Sequence, residues 1–180
     1  MLIERAWRVT MADVDAAGVI YYGSPLRWAE MLLGDWLDGR GHSISAMLGR
    51  HEAIPAVGVE VRYRSPLSLD DRCRLSLSAV RVGRTSFTVR CAAGGPRGDG
   101  AAVEVDTTHA YVRHGGHKPG RGVSFERQPL PAWLREPLED DHRQSQVRLE
   151  DDQRQSQARL EDDHRQSRAR LERDAGGGGR

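Results

Sequence analysis

Cysteine is nearly absent. The 180-residue chain has two, too few for a disulfide framework. Lysine is scarcer: of 27 basic residues only Lys118 is lysine, which reads as the codon bias of a GC-rich genome rather than as function. There is no surplus charge of one sign. The net charge is +1, so nothing resembles the basic footprint of a nucleic-acid or anionic-membrane binder. No apolar run approaches the roughly 20 residues that span a bilayer. The opening Met1-Leu2-Ile3-Glu4-Arg5 is charged where a secretory leader would be apolar. G-x-S-x-G, a Walker loop and a strand-to-helix G-x-G-x-x-G are all missing. These absences predict a cytoplasmic protein with no nucleic-acid and no membrane partner.

What is present falls into two parts. Residues 138–180 hold 11 acidic and 9 basic residues and only eight apolar ones, all Leu, Val or Ala. An eleven-residue unit repeats from Leu138, Leu149 and Leu160, and a fourth copy at Leu171 dissolves into Gly176 to Gly179. Eleven residues are close to three helical turns, so the leucines would align with about 20° of drift per repeat. Glu139–Arg143, Glu150–Arg154 and Glu161–Arg165 stand at i,i+4 in the favourable order, worth about 0.2–0.5 kcal/mol each. The alternatives are a right-handed coiled-coil stalk and a solvated helix or disordered tail. One leucine per three turns is too little apolar area to bury, which favours the second. His142 and His164 read as solvated repeat positions. The expected division is a domain over 1–137 and a repeat tail over 138–180.

The first 137 residues have the apolar content of an ordinary globular domain. Ile3, Arg5, Trp7 and Val9 alternate as a first strand. Ser24-Pro25 signals a helix start, with Ser as the cap. Trp28, Met31, Leu32 and Trp36 recur at helical spacing, widened by Leu33 and Leu37, and Gly39 and Gly41 end the run. Gly34 inside this helix costs about 1 kcal/mol against Ala and predicts close approach of a neighbouring backbone. Four alternating runs follow: Val57 to Tyr63, Cys73 to Leu77, Phe87 to Cys91, and Val103 to Tyr111. The fold class is therefore α+β, an antiparallel sheet wrapped around one long helix. Cys73 and Cys91 fall on facing strands and read as buried thiols rather than a disulfide.

The densest unusual segment is Met11 to Pro25, with Asp13 and Asp15 just ahead of the buried helix. A helix N-terminus offers free N–H groups and about half a positive charge, suited to a developing oxyanion. A carboxylate beside it can serve as general base or nucleophile. The competing reading is a solvated D-x-D turn. His114-Gly-Gly-His117 is too short a pattern to stand as a metal site. His109 faces either the core or a pocket, with core or an interface favoured.

Asp13-Val-Asp15-Ala-Ala-Gly18-Val-Ile-Tyr21-Tyr22, running into Leu26-Arg27-Trp28-Ala29-Glu30, resembles the 4-hydroxybenzoyl-CoA thioesterase family of hotdog-fold acyl-CoA thioesterases. Tyr63-Arg64-Ser65-Pro66 and Gly83-Arg84-Thr85-Ser86-Phe87 are similar to its later strands. The resemblance covers about residues 1–137. It implies a hotdog fold, a homodimer or homotetramer, and hydrolysis of an acyl-CoA thioester. It places the catalytic carboxylate on Asp15, with Asp13 in support, and the carbonyl-polarising donor on the backbone N–H of Tyr22. It places substrate contacts on Tyr63, Arg84, Thr85 and Ser86, the last three reaching CoA across a subunit boundary. No metal or organic cofactor is needed for that chemistry. The chain departs from the family's pattern at Tyr22, where several members have His, and at Ser24-Pro25, where many have Asn-Tyr. A non-catalytic hotdog module that binds acyl-CoA or a protein partner is the rival reading.

Overall fold

The computed structural model describes residues 1–95, 100–115, 124–151 and 154. Two compact units are present, Met1–His142 and Arg143–Arg180. In the second, residues 143–151 and 154 are helical. The remaining repeats with His164, residues 96–99 and His117 lie outside the described residues.

The first unit opens with β1 (Ile3–Arg8), then α1 (Ser24–Asp38), α2 (Ile44–Gly49) and β2 (Glu52–Ala53). It continues through β3 (Ala56–Tyr63), β4 (Arg72–Val82), β5 (Ser86–Gly94), β6 (Ala101–Ala110), β7 (Val112–His114) and β8 (Phe125–Arg127). Residues 132–142, here α3, are helical. Five strands form one antiparallel sheet in the order β1-β4-β5-β6-β3, and β2, β7 and β8 form a small second sheet.

The period-two alternation sends Leu75, Leu77 and Ala79 of β4, Phe87, Val89 and Cys91 of β5, and Val103 and Val105 of β6 into the core. There they meet Trp28, Leu32, Trp36 and Leu37 of α1. The outer face is charged: Arg90 grips Asp106 through two bonds of 2.6 and 2.7 Å, and Arg64 pairs with Glu104 at 2.9 Å. The sheet therefore wraps one long helix, as the alternation predicts. Among the described residues no helix is long and apolar enough to cross a membrane.

Three local expectations change. Ser24 does not cap α1. Gly23 is the N-cap with no side-chain bond, while Ser24 is fully buried and donates to the carbonyl of Asp13 at 2.8 Å. Gly34 meets no neighbouring backbone: a Cβ built there has nothing within 4 Å. Its missing side chain opens space instead. Finally, Leu138 is fully buried, and Asp141 is 5% exposed and accepts from the N–H of Ala79 at 2.7 Å. Both belong to the first unit, although the repeat begins at Leu138. Pro137 sits within α3 without ending it, and Leu134 and Leu138, four residues apart, bury the same face.

Cys73 and Cys91 are free thiols. Cys91 lies opposite Leu77, not Cys73. Burial pushes their pKa values up, to about 11 for Cys73 and about 12 for Cys91.

Candidate active site

The loop between β1 and α1 is built as a small hairpin. Val14 bridges Ile20, and the N–H of Asp15 donates to the carbonyl of Val19 at 3.0 Å. Gly18 closes it at φ +77°, a left-handed conformation that costs glycine nothing sterically. The loop delivers the chain to the start of α1, a 15-residue helix whose N-terminal dipole faces the same region.

The two aspartates have opposite environments. Asp13 is 4% exposed. Its Oδ2 accepts from the N–H and hydroxyl of Thr10 at 2.9 and 2.7 Å, and its Oδ1 accepts from the Trp28 indole at 2.9 Å. Arg27 stands 3.6 Å away. Burial alone would raise the pKa of Asp13. The Thr10 and Trp28 hydrogen bonds and the Arg27 charge outweigh it and hold the carboxyl below its ordinary range. The Asp13 carbonyl also accepts from Tyr21 N–H at 2.7 Å. Asp13 is thus the rivet joining the loop to α1. Asp15, two residues on, is exposed. Its Oδ1 accepts from the Ala17 N–H at 2.8 Å, and its Oδ2 has no hydrogen bond among the described residues. One oxygen is fixed and the other is open to a reactant.

Tyr22 immediately precedes the cap of α1. Its N–H makes no hydrogen bond to a described residue, whereas the neighbouring Tyr21 and Ser24 N–H groups are both engaged. An unpartnered N–H beside a helix N-terminus can polarise a carbonyl. The Tyr22 ring is 70% exposed and lies 4.3 Å from the Tyr21 ring, tilted by 46°. Tyr63, on the edge strand β3, donates its hydroxyl to the Tyr22 carbonyl at 2.5 Å. The structure therefore brings Tyr63 to Tyr22.

Arg84, Thr85 and Ser86 sit elsewhere, at the turn between β4 and β5. The Gly83 N–H donates to Ser86 O at 2.8 Å, and Tyr111 N–H to Thr85 O at 2.9 Å. The Arg84 carbonyl accepts from Leu130 N–H at 2.8 Å and from Arg135 at 3.1 Å. The Arg84 side chain is exposed and unpaired among the described residues. Within one chain these three residues touch neither Asp15 nor Tyr22.

A cavity of about 340 Å³ runs along α1 from its first turn. Leu26, Ala29, Glu30, Leu33 and Gly34 line it on one side, and Thr107 and His109 lie in its wall. The five helix positions follow i, i+3, i+4, i+7, i+8, a single face. His109 Nδ1 donates to the Ile54 carbonyl at 2.9 Å, which leaves Nε2 to accept from the Thr107 hydroxyl at 3.0 Å. Burial lowers the His109 pKa, opposed by the bond to Ile54, so the ring stays neutral. Sequence reasoning missed Glu30 and Gly34 as lining residues. The signal was present in their spacing from Leu26, which lies outside the Trp28–Leu32–Trp36 core stripe.

Among the described residues no group of three or more His, Cys, Asp or Glu could hold a metal. His114 instead meets His51 edge-on at 5.3 Å.

The sequence model of the thioesterase superfamily matches residues 17–93, beginning just past Asp15. The chain is 29% identical over 133 residues to the 1,4-dihydroxy-2-naphthoyl-CoA hydrolase of Thermosynechococcus vestitus, covering 73% of this chain and 88% of that protein. Its fold matches a 1,4-dihydroxy-2-naphthoyl-CoA thioesterase from Synechocystis with a TM-score of 0.60 at 21% identity, over 72% of this chain and 90% of that one. A gentisyl-coenzyme A thioesterase matches with a TM-score of 0.60 at 18% identity, over 76% and 98%. The chain has the hotdog fold, and its residues 17–93 are similar to the thioesterase superfamily.

Proposed function

We propose that the protein hydrolyses an acyl-CoA thioester to the free acid and CoA, with Asp15 as its catalytic carboxylate. Thioester hydrolysis is the activity for which the similar proteins are named, and the match of residues 17–93 to the thioesterase superfamily supports it. The single observation supporting this site is the pairing of an exposed carboxylate having one free oxygen with an unpartnered Tyr22 N–H beside the N-terminus of α1.

In the reaction the thioester carbonyl oxygen takes a hydrogen bond from Tyr22 N–H, and negative charge gathers there as the carbonyl carbon is attacked. Asp15 either removes a proton from the attacking water or adds directly, giving an anhydride that water then opens. A C–O bond forms, the C–S bond breaks, and the thiolate leaves. Its conjugate acid has a pKa near that of cysteine, about 8.5, so departure is easy.

The working unit is a homodimer or a homotetramer. β3 is an edge strand with Val57 and Val59 about half exposed, and an unprotected apolar edge is suited to pairing. In that assembly Arg84, Thr85 and Ser86 serve the CoA of the neighbouring subunit, where a guanidinium matches phosphate. Relatives named for 1,4-dihydroxy-2-naphthoyl-CoA make aromatic acyl groups the first to assay. The test is thiol release from a panel of acyl-CoAs. Asp15→Asn is expected to lower kcat at least a hundredfold with the melting temperature retained. An equal rate in both proteins would exclude Asp15.

A further inference from the structure

A second cavity, of about 430 Å³, lies between α2 and the small sheet. Met47, Leu48, Ala53, Pro55 and Phe125 line it. It shares two side chains, Ile44 and Ile54, with the cavity along α1. The two spaces are neighbours separated by a pair of isoleucines. Their combined path begins at Leu26, two residues into α1, next to the proposed reaction centre. From Leu26 to Gly34 it descends about 12 Å along the helix, and it then continues past Ile44.

Three features define what fits. Among the polar groups in the wall of the first cavity, His109 and Thr107 are satisfied by each other and by the Ile54 carbonyl, and Glu30 is exposed to solvent. In the second cavity Glu52 is already held by Arg50 at 3.0 Å, and His114 Nε2 is the one buried polar atom there without a partner among the described residues, against a lining that is otherwise apolar. Gly34, in mid-helix, has empty space where a side chain would stand, so the helix carries a residue of poor propensity where any larger one would fill the cavity. An extended hydrocarbon needs such a channel, whereas a single aromatic ring would leave the far cavity empty.

We infer that the acyl group this protein accepts is an extended apolar chain, which lies along α1 over Gly34 and passes Ile44 and Ile54 into the second cavity. This rests on the hydrolase reading above and adds the substrate class. The experiment measures kcat/KM for butanoyl-, octanoyl-, hexadecanoyl- and benzoyl-CoA by thiol release. The native protein should gain on the order of threefold per added methylene over the part of the series that fits, with hexadecanoyl-CoA well above benzoyl-CoA. Ile44→Trp, at a position 44% exposed, narrows the passage and should lower the hexadecanoyl-to-butanoyl ratio at least tenfold. Gly34→Leu should lower both the octanoyl and the hexadecanoyl ratios to butanoyl, with the melting temperature maintained or raised. If the native protein turns over benzoyl-CoA best, or neither variant moves the ratios, the chain-length assignment is overturned while the hydrolase reading stands. If no thioester in the panel is turned over, the hydrolase reading itself fails and this assignment with it.

Discussion

The loop ahead of α1 and the β4–β5 turn solve the same problem by different means. Each presents one exposed charged side chain from a fixed backbone: Asp15 in the first, Arg84 in the second. The first loop is fixed by a buried side chain, Asp13, which holds Thr10 and Trp28 and whose carbonyl also receives Tyr21 and Ser24. The turn is fixed mainly through its own backbone, by Gly83 to Ser86, Tyr111 to Thr85, and Leu130 and Arg135 to Arg84. A carboxylate rivet ties the first loop to the core and makes it sensitive to acid. Carbonyl anchors leave the second loop indifferent to pH and dependent on the docking of the 130–135 segment.

Breaking the rivet should have the larger effect on stability. Asp13→Asn keeps the shape but loses the charge and can no longer accept on both oxygens. At about 1–3 kcal/mol for each buried donor left unpaired, the loss should reach 2 kcal/mol or more. The melting temperature should fall by several degrees, and scanning calorimetry checks this. An unchanged transition would mean that Asp13 is not the anchor.

The second loop is tested at its tip. Arg84→Ala should raise KM for CoA thioesters about tenfold and leave KM for short thioesters without the nucleotide nearly as it was. Steady-state kinetics on the two substrate types separate the outcomes, and equal changes would give Arg84 a purely structural role. Its anchor comes next. Arg135→Ala removes the donor to the Gly83 and Arg84 carbonyls, at 3.1 Å each. It should cost about 1 kcal/mol and raise KM in the same substrate-selective way, because the turn that carries Arg84 loosens.

The pH dependence sharpens the contrast and is the smallest effect. The folded-state pKa of Asp13 is lowered from 3.8, so its contribution is full above that value and is lost as pH falls through the folded value. His109 is lowered from 6.5, so the unfolded chain takes up its proton first, and stability declines as pH drops below about 6.5. Melting curves should show two acid stages. Asp13→Asn should remove the lower stage and His109→Gln the upper. Arg84→Ala should leave both in place.

Much of this was legible in the residues. Alternation, with Arg5 as an interruption in the first strand, marked the five main strands, and Trp28, Leu32 and Trp36 marked the central helix. Gly18 gave the turn beside the aspartates. The short elements were not legible. α2 has six residues and β2, β7 and β8 two or three, too few to show a period, and tertiary contacts fix them. The cap was misread because Ser24 had a stronger buried partner, the Asp13 carbonyl, than the helix N–H groups. The D-x-D spacing could not tell a buried rivet from an open carboxylate. The buried partners of Asp13, Thr10 and the Trp28 indole, separate their roles.

The proposed function assigns the hydrolytic chemistry to Asp15 and not to Asp13. It is tested most directly by thiol release from one acyl-CoA for the native protein, Asp15→Asn and Asp13→Asn, each at equal folded concentration. Asp15→Asn is expected to retain its melting temperature and lose at least a hundredfold in kcat, while Asp13→Asn should melt earlier and keep most of its turnover per folded molecule. Native turnover in Asp15→Asn, or the larger loss in Asp13→Asn, would contradict it.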